Sequence, residues 1–306
     1  MVNYKSTSYN NNFNLVLYMS LILAGLGIGW LSLNKVDAGI QYTTIFLVMS
    51  MLFLLGFLFI KEDDKSFMSK LIRIPFSTDY DLAIPLFLLG WLTPMLITFL
   101  VGLIGGSFNI SQLMIPFYAT DITAGISQSF AIAQLQADPF WSWFITIWVA
   151  GTIEEFAFGL ASMFIFSLLA MFVLKMINDG KDLSFMKAET FYVTFALILS
   201  MLMFSGLHLL NSTYSGYMFL IAMIFRLFMN LGIYVWGLFI SFTMGYHQSN
   251  NAIFYFKTYG ADATLQAILS VKGLIIMLMF VLMIFYVLRR FPIISKKFSQ
   301  YLGSLG

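Results

Sequence analysis

Cysteine is absent from the 306 residues, which removes disulfides, thiolate nucleophiles, cysteine-ligated metals and lipidated cysteines from consideration. Charge is scarce as well: 10% of the residues are Asp, Glu, Lys or Arg, against about 25% in a soluble domain. That deficit excludes a water-soluble globular fold. The net charge of +2 is spread over the polar stretches, so there is no basic surface for nucleic acid, and none is expected as a partner. Histidine occurs only twice. What fills the chain is apolar: 60% hydrophobic residues, 34 of the residues phenylalanine, and a mean hydropathy of +0.89.

Several apolar runs reach the ~20 residues that a bilayer span needs. They predict an all-α fold, a polytopic transmembrane helix bundle of about eight spans. The runs are 14–33, 40–60, 82–105, 141–176, 190–211, two spans within 217–256 divided at Asn230-Leu231-Gly232, and 267–288. The first is longer than a signal-peptide core and reads as a permanent helix. Between the second and third, Phe67, Leu71 and Ile74 oppose Lys70 and Arg73, a pattern that suits a helix lying on the membrane surface or an ordinary loop helix. Residues 106–140 lack Lys and Arg and suit a shallow or re-entrant outer element. The run 141–176 exceeds a ~30 Å core, so it is either steeply tilted or broken near Gly151-Thr152. Three regions result: an N-terminal membrane region 1–140, a core 141–288, and a basic cytoplasmic tail 289–306. With both termini cytoplasmic, most cations fall inside, and only Lys35, Lys257 and Lys272 fall outside.

Ionisable groups inside spans are costly and mark function by default. Of 14 carboxylates, Glu154 and Glu155 alone stand in the middle of a long apolar run. Both histidines, His208 and His247, lie in or beside expected spans. Phe204 shares a helix face with His208 at i, i+4, and His247 shares one with Asn251. Glu155 shares a face with Gly151 and Gly159, where a neighbouring backbone can approach closely. Two adjacent carboxylates in a low dielectric cannot both ionise cheaply, and one poised nearer neutrality can act as a base towards water. His208 could hold that water, and His247 and Asn251 could donate to the oxyanion formed when it attacks a carbonyl. Such a set hydrolyses an amide with no cofactor. The same residues also admit blander readings: packed histidines, and a Glu pair that serves as the ion partner of Arg226.

In order and spacing these residues resemble the CPBP family, the CAAX prenyl endopeptidases and bacteriocin-processing enzymes, also called the ABI family. That family carries Glu-Glu-x-x-x-Arg, Phe-x-x-x-His and His-x-x-x-Asn on successive membrane helices of an eight-helix fold. The corresponding segments here are Glu154-Glu155-Phe156-Ala157-Phe158-Gly159, Phe204-Ser205-Gly206-Leu207-His208 and His247-Gln248-Ser249-Asn250-Asn251. The resemblance spans 151–256, about a third of the chain. It implies an intramembrane, metal-independent endopeptidase acting on a peptide or membrane-protein substrate in contact with membrane lipid. By resemblance, Glu154 and His208 would activate water, His247 and Asn251 would stabilise the oxyanion, and Glu155 would support the site. Gly159 departs from the pattern where the family has arginine, and Arg226 is the substitute cation this reading offers for Glu155. The charge count places the site in the outer half of the bilayer, whereas CAAX endopeptidases open towards the cytosol.

Three other functions remain open on the sequence. A catalytically silent relative could act as a scaffold or bind a protein partner in a membrane complex, as the missing arginine suggests. A proton- or cation-coupled transporter could use Glu154 and Glu155. A zinc hydrolase has less behind it, because there is no His-Glu-x-x-His spacing and Asn251 is a poor zinc ligand.

Overall fold

A computed structural model describes residues 71, 75, 80–104, 139–178, 188–209 and 216–305. The spans expected at 14–33 and 40–60, the outer element at 106–138, and the surface helix apart from Leu71 lie outside the described residues. Every regular element among the described residues is helical. A 3-10 turn, Tyr80–Leu82, leads into α1 (Ala83–Ile104). One helical run follows in five pieces: α2 (Pro139–Phe144), a first π-helical segment (Ile145–Val149), α3 (Ala150–Glu154), a second π-helical segment (Glu155–Ala161) and α4 (Ser162–Asn178). Then come α5 (Ala188–Leu209), α6 (Gly216–Tyr234), α7 (Ile240–Leu269) and α8 (Val271–Leu305).

Among the described residues, Glu155–Leu174, Glu189–Gly206 and Val271–Gly303 are each long and apolar enough to cross a membrane. Ala83–Ile97 and Ala222–Tyr234 are shorter apolar stretches. The chain is therefore a helical membrane protein.

Two compact units make up the fold, and each is described by itself. The first comprises Thr78–Glu155, Leu209–Ile221 and Leu238–Gly306. In it, α1 and α7 approach backbone to backbone at two glycines. A Cβ at Gly90 would collide with the carbonyl of Phe242, and one at Gly245 with the carbonyl of Phe87. Small residues permit this contact where lipid supplies no hydrophobic drive for helices to associate. Phe140, Trp143, Ile147, Tyr255 and Ala267 form a buried cluster beside it, walled by Trp91, Trp141 and Trp148. α8 is held at both ends. Near its start, the Lys272 ammonium sits 4.9 Å from the ring centre of Trp141 and 5.5 Å from that of Phe140. Towards its other end, Tyr286, Arg290 and Lys297 all donate to the Asp81 carboxylate.

The second unit comprises Met1–Ser77, Phe156–His208 and Ala222–Gly237. Its described core is Met163, Ala196 and Leu197, packed with Phe166, Val193, Leu231 and Tyr234.

Two boundaries differ from expectation, the end of α6 and the start of α8, each for a local reason. Of the two alternatives for the run 141–176, a break at Gly151-Thr152 is not the one seen; Gly151 packs against α7, where a Cβ would come within 2.9 Å of Gln248 Cγ. The turn expected at Asn230-Leu231-Gly232 falls instead after Tyr234, since the Asn230 side chain is bonded inside the helix bundle, to Arg226 and Ser200. Gly237, at φ +67°, supplies the left-handed residue that ends α6. The last helix starts at Val271 rather than 267, because Ser270 Oγ accepts the amide of Gly273 at 3.0 Å, an N-cap bond. The basic stretch 289–306, expected as a cytoplasmic tail, carries α8 on through Pro292 to Leu305.

Lys297 first, and Arg290 and Tyr286 after it, hold the Asp81 carboxyl below the usual carboxylate range. A carboxyl lowered on folding contributes stability that is complete above its unfolded value of about 3.9 and is lost as pH falls through the lowered folded value. Asp81→Asn should therefore lower the thermal midpoint at neutral pH and flatten its fall in acid. A variant whose midpoint still follows the wild-type acid limb, measured in detergent from neutral pH downwards, would show that this contact is not the one titrating.

Candidate functional site

The helical run that carries the Glu pair changes pitch at the pair. Glu154 ends α3 and Glu155 opens the second π segment. On a regular α-helix successive side chains diverge by about 100°, so adjacent carboxylates would face different surroundings. Here both reach one imidazole. His247, on α7, lies with Nδ1 2.9 Å from Glu155 Oε1 and Nε2 3.2 Å from Glu154 Oε2. The His247 side chain is 5% exposed, Glu155 is 0% exposed and Glu154 is 25% exposed. Of the two carboxylates, Glu154 is the accessible one.

Geometry sets the proton count. A carboxylate only accepts, and a neutral imidazole carries a hydrogen on one nitrogen. Two N···O contacts at hydrogen-bond distance therefore need two protons among the three groups. Either an imidazolium lies between two carboxylates, or a neutral imidazole lies between a carboxylate and a carboxylic acid. Both states carry a net charge of −1, and they differ by the transfer of one proton along one bond. The three groups form a short carboxylate–imidazole–carboxylate chain that runs from an accessible carboxylate to a fully buried one.

Neighbouring residues fix the frame. Asn251, one turn beyond His247, donates Nδ2 to the main-chain carbonyl of Thr146 at 3.1 Å, which anchors it to the first π segment. The amide has a second hydrogen on the same nitrogen. Gln248 was not among the residues expected to matter. Its Nε2 donates to Thr152 Oγ1 at 2.9 Å, and its Oε1 accepts from Trp91 Nε1 at 3.2 Å. These two bonds set the amide's orientation and tie α7 to α3 and α1 beside the Glu–His cluster. A polar residue next to His247 in an apolar helix was the available signal.

The remaining expected site residues belong to the second unit. His208 is the penultimate residue of α5, and its side chain lies outside the described part of the structure. Phe204 is buried edge-on against Phe158, with ring centres 5.1 Å apart, and the Arg226 guanidinium lies 5.7 Å from its centroid. Arg226, fully buried, donates through Nε and Nη2 to Asn230 Oδ1 at 3.1 and 2.9 Å. Asn230 in turn donates Nδ2 to Ser200 Oγ at 3.0 Å. The hydroxyls of Ser162 and Ser200 stand 2.6 and 2.7 Å from the carbonyl of Phe158, and Tyr234 donates to the carbonyl of Gly159 at 2.7 Å. Both carbonyls belong to the second π segment. The widened turn thus has side-chain hydroxyls on its backbone, which lipid could not supply. Gly159 takes part in this network through its carbonyl.

Among the described residues no three His, Asp or Glu side chains converge in a geometry suited to a metal ion. No family model, curated protein or solved structure matches the chain.

Gln248→Ala strands the Trp91 indole N–H and opens a hole against Gly151. It should cost about 2 kcal/mol of stability, read from reversible unfolding in mixed micelles. A loss below about 0.5 kcal/mol, the level of an ordinary surface change, would mean that Gln248 does not tie these helices together.

Proposed function

We propose that the chain is an intramembrane glutamic endopeptidase of the CPBP kind, which hydrolyses a peptide bond with an activated water. The observation that carries this reading is the clasp of two consecutive carboxylates on one buried imidazole. In this scheme Glu154, the accessible carboxylate, takes the proton of a water as its oxygen attacks the scissile carbonyl. The resemblance gives His208 the task of holding that water. The oxyanion is met by the second N–H of Asn251 and by His247 Nε2–H, which leaves Glu154 as that carboxylate takes up the proton. Glu154 then returns the proton to the leaving amine as the C–N bond breaks, so one group serves as base and acid in turn. Glu155 keeps its place on His247 Nδ1 and sets the ring's tautomer. No cofactor enters the scheme.

The same reading takes the fold as an eight-span bundle with both termini cytoplasmic and its substrate a peptide or membrane protein. It is supported by a helix at each of the places expected for a span after residue 80. A second reading, a catalytically silent relative that binds a partner protein in a membrane complex, draws on Gly159 in the place of the motif arginine. A third, a proton-coupled transporter, draws on the carboxylate–imidazole–carboxylate chain itself.

Glu154→Gln keeps the shape of the side chain and removes the base. Peptide termini generated in membranes that express the wild-type chain should disappear with this variant, with a rate loss of about 10²–10⁴-fold. Asn251→Ala should slow the same cleavages by about 10²-fold or more. Full cleavage by Glu154→Gln would remove the protease reading. Absence of any wild-type-dependent terminus, with a stoichiometric partner co-purifying, would favour the silent relative.

A further inference from the structure

We infer that Arg289 and Lys296 on α8 form a binding site for the phosphate headgroup of an anionic phospholipid. The inference rests on the membrane character of the chain and is independent of the protease reading. From Val271 to Leu288, α8 turns large apolar side chains outward, Leu278, Leu282, Phe285 and Leu288 among them. Only 6% of the stretch Val271–Gly303 is buried within the protein. Eighteen residues rise about 27 Å at 1.5 Å each, close to the ~30 Å of a hydrocarbon core. Lys272, seated on Trp141 and Phe140, marks one edge of that thickness as interfacial aromatic and basic residues do. Arg289 then falls at the opposite edge, at the depth of the headgroup phosphates.

Beyond it the helix carries Arg289, Arg290, Lys296 and Lys297 and no carboxylate. These cations form two pairs, each spaced by seven residues and so stacked on one side of the helix about 10 Å apart. Arg290 and Lys297 turn to Asp81. Arg289 and Lys296, one position earlier in each case, are exposed. Asp81 is thus engaged by the other pair. Two long cationic side chains separated by this distance can close on one phosphodiester from either side, while Phe291 and Ile293, both exposed, offer apolar contact to its chains.

The full chain in nanodiscs tests this. Replacing part of the phosphatidylcholine with phosphatidylglycerol should raise the thermal midpoint by mass action. Arg289→Gln combined with Lys296→Gln should abolish that rise and leave the midpoint in pure phosphatidylcholine unchanged. Arg289→Lys with Lys296→Arg should keep it, and so should the charge-matched pair Lys5→Gln with Lys35→Gln. A rise that survives the first double variant, or is lost equally in the charge-matched one, overturns the site. A rise of the same size produced by inorganic phosphate in pure phosphatidylcholine overturns the lipid as its ligand.

Discussion

The clasp between His247 and the two carboxylates Glu154 and Glu155 constrains everything around it in its unit. Three ionisable groups share two protons in a place where an unpaired charge would cost several kcal/mol. Their contacts have to be kept at hydrogen-bond distance, so α3 and α7 have to be held together within a few tenths of an ångström. The molecule achieves this with close approaches at glycines and one doubly bonded side-chain amide. Gly90 and Gly245 bring α1 against α7, Gly151 brings α3 against Gln248, and the Gln248 amide bonds to both flanking elements. A Cβ at either member of the first glycine pair would push the imidazole's helix away from its neighbour.

Consecutive residues meet one ring because the helical pitch changes there. A π turn has an extra residue per hydrogen-bonded ring, which rotates the side chains beyond it relative to a regular helix and commonly accompanies function. The change also alters how backbone carbonyls are served, and in lipid they need partners from the protein itself. In the second unit, Ser162, Ser200 and Tyr234 bring hydroxyls to the carbonyls of Phe158 and Gly159. Asn230 links this group to the buried Arg226 guanidinium, whose charge is spread over an amide oxygen and the face of Phe204. Arg226 thus has a structural task within its own unit.

Hydropathy made the helices legible and little else. The run 190–211 corresponds to α5 at Ala188–Leu209, and 82–105 to α1 at Ala83–Ile104, because length and apolar content are local properties. Boundaries set by local polar chemistry were harder: Ser270 as an N-cap and Gly237 as a left-handed stop were both present in the sequence, yet stronger-looking turn signals stood nearby. The π segments were out of reach, since what stabilises them is distant in sequence. Glu155 and His247 are 92 positions apart, and Tyr234 and Gly159 are 75 apart. The candidate pair His247 and Asn251 was found by spacing, but spacing does not tell that Asn251 would bond to Thr146 or that His247 would face carboxylates on both sides. Gln248 was overlooked because its value lies in two partners from other helices.

The composition bears on whether the clasp is structural. A buried ion cluster is seldom the most stable filling for its volume, and apolar replacements of similar size often equal or exceed it. This chain is 60% hydrophobic and rich in Phe and Met, so an apolar filling is within its ordinary means. The hydroxyl and amide network around the second π segment differs in kind: neutral groups there satisfy backbone carbonyls that need partners in any case. No backbone group requires a Glu-Glu pair on a histidine. The clasp also grades from a carboxylate with a quarter of its side chain exposed to one with none, and a purely structural cluster has no need of that access. An accessible carboxylate whose proton can be exchanged with a buried partner is an arrangement that acid–base chemistry uses, and it is on this that the proposed reaction rests.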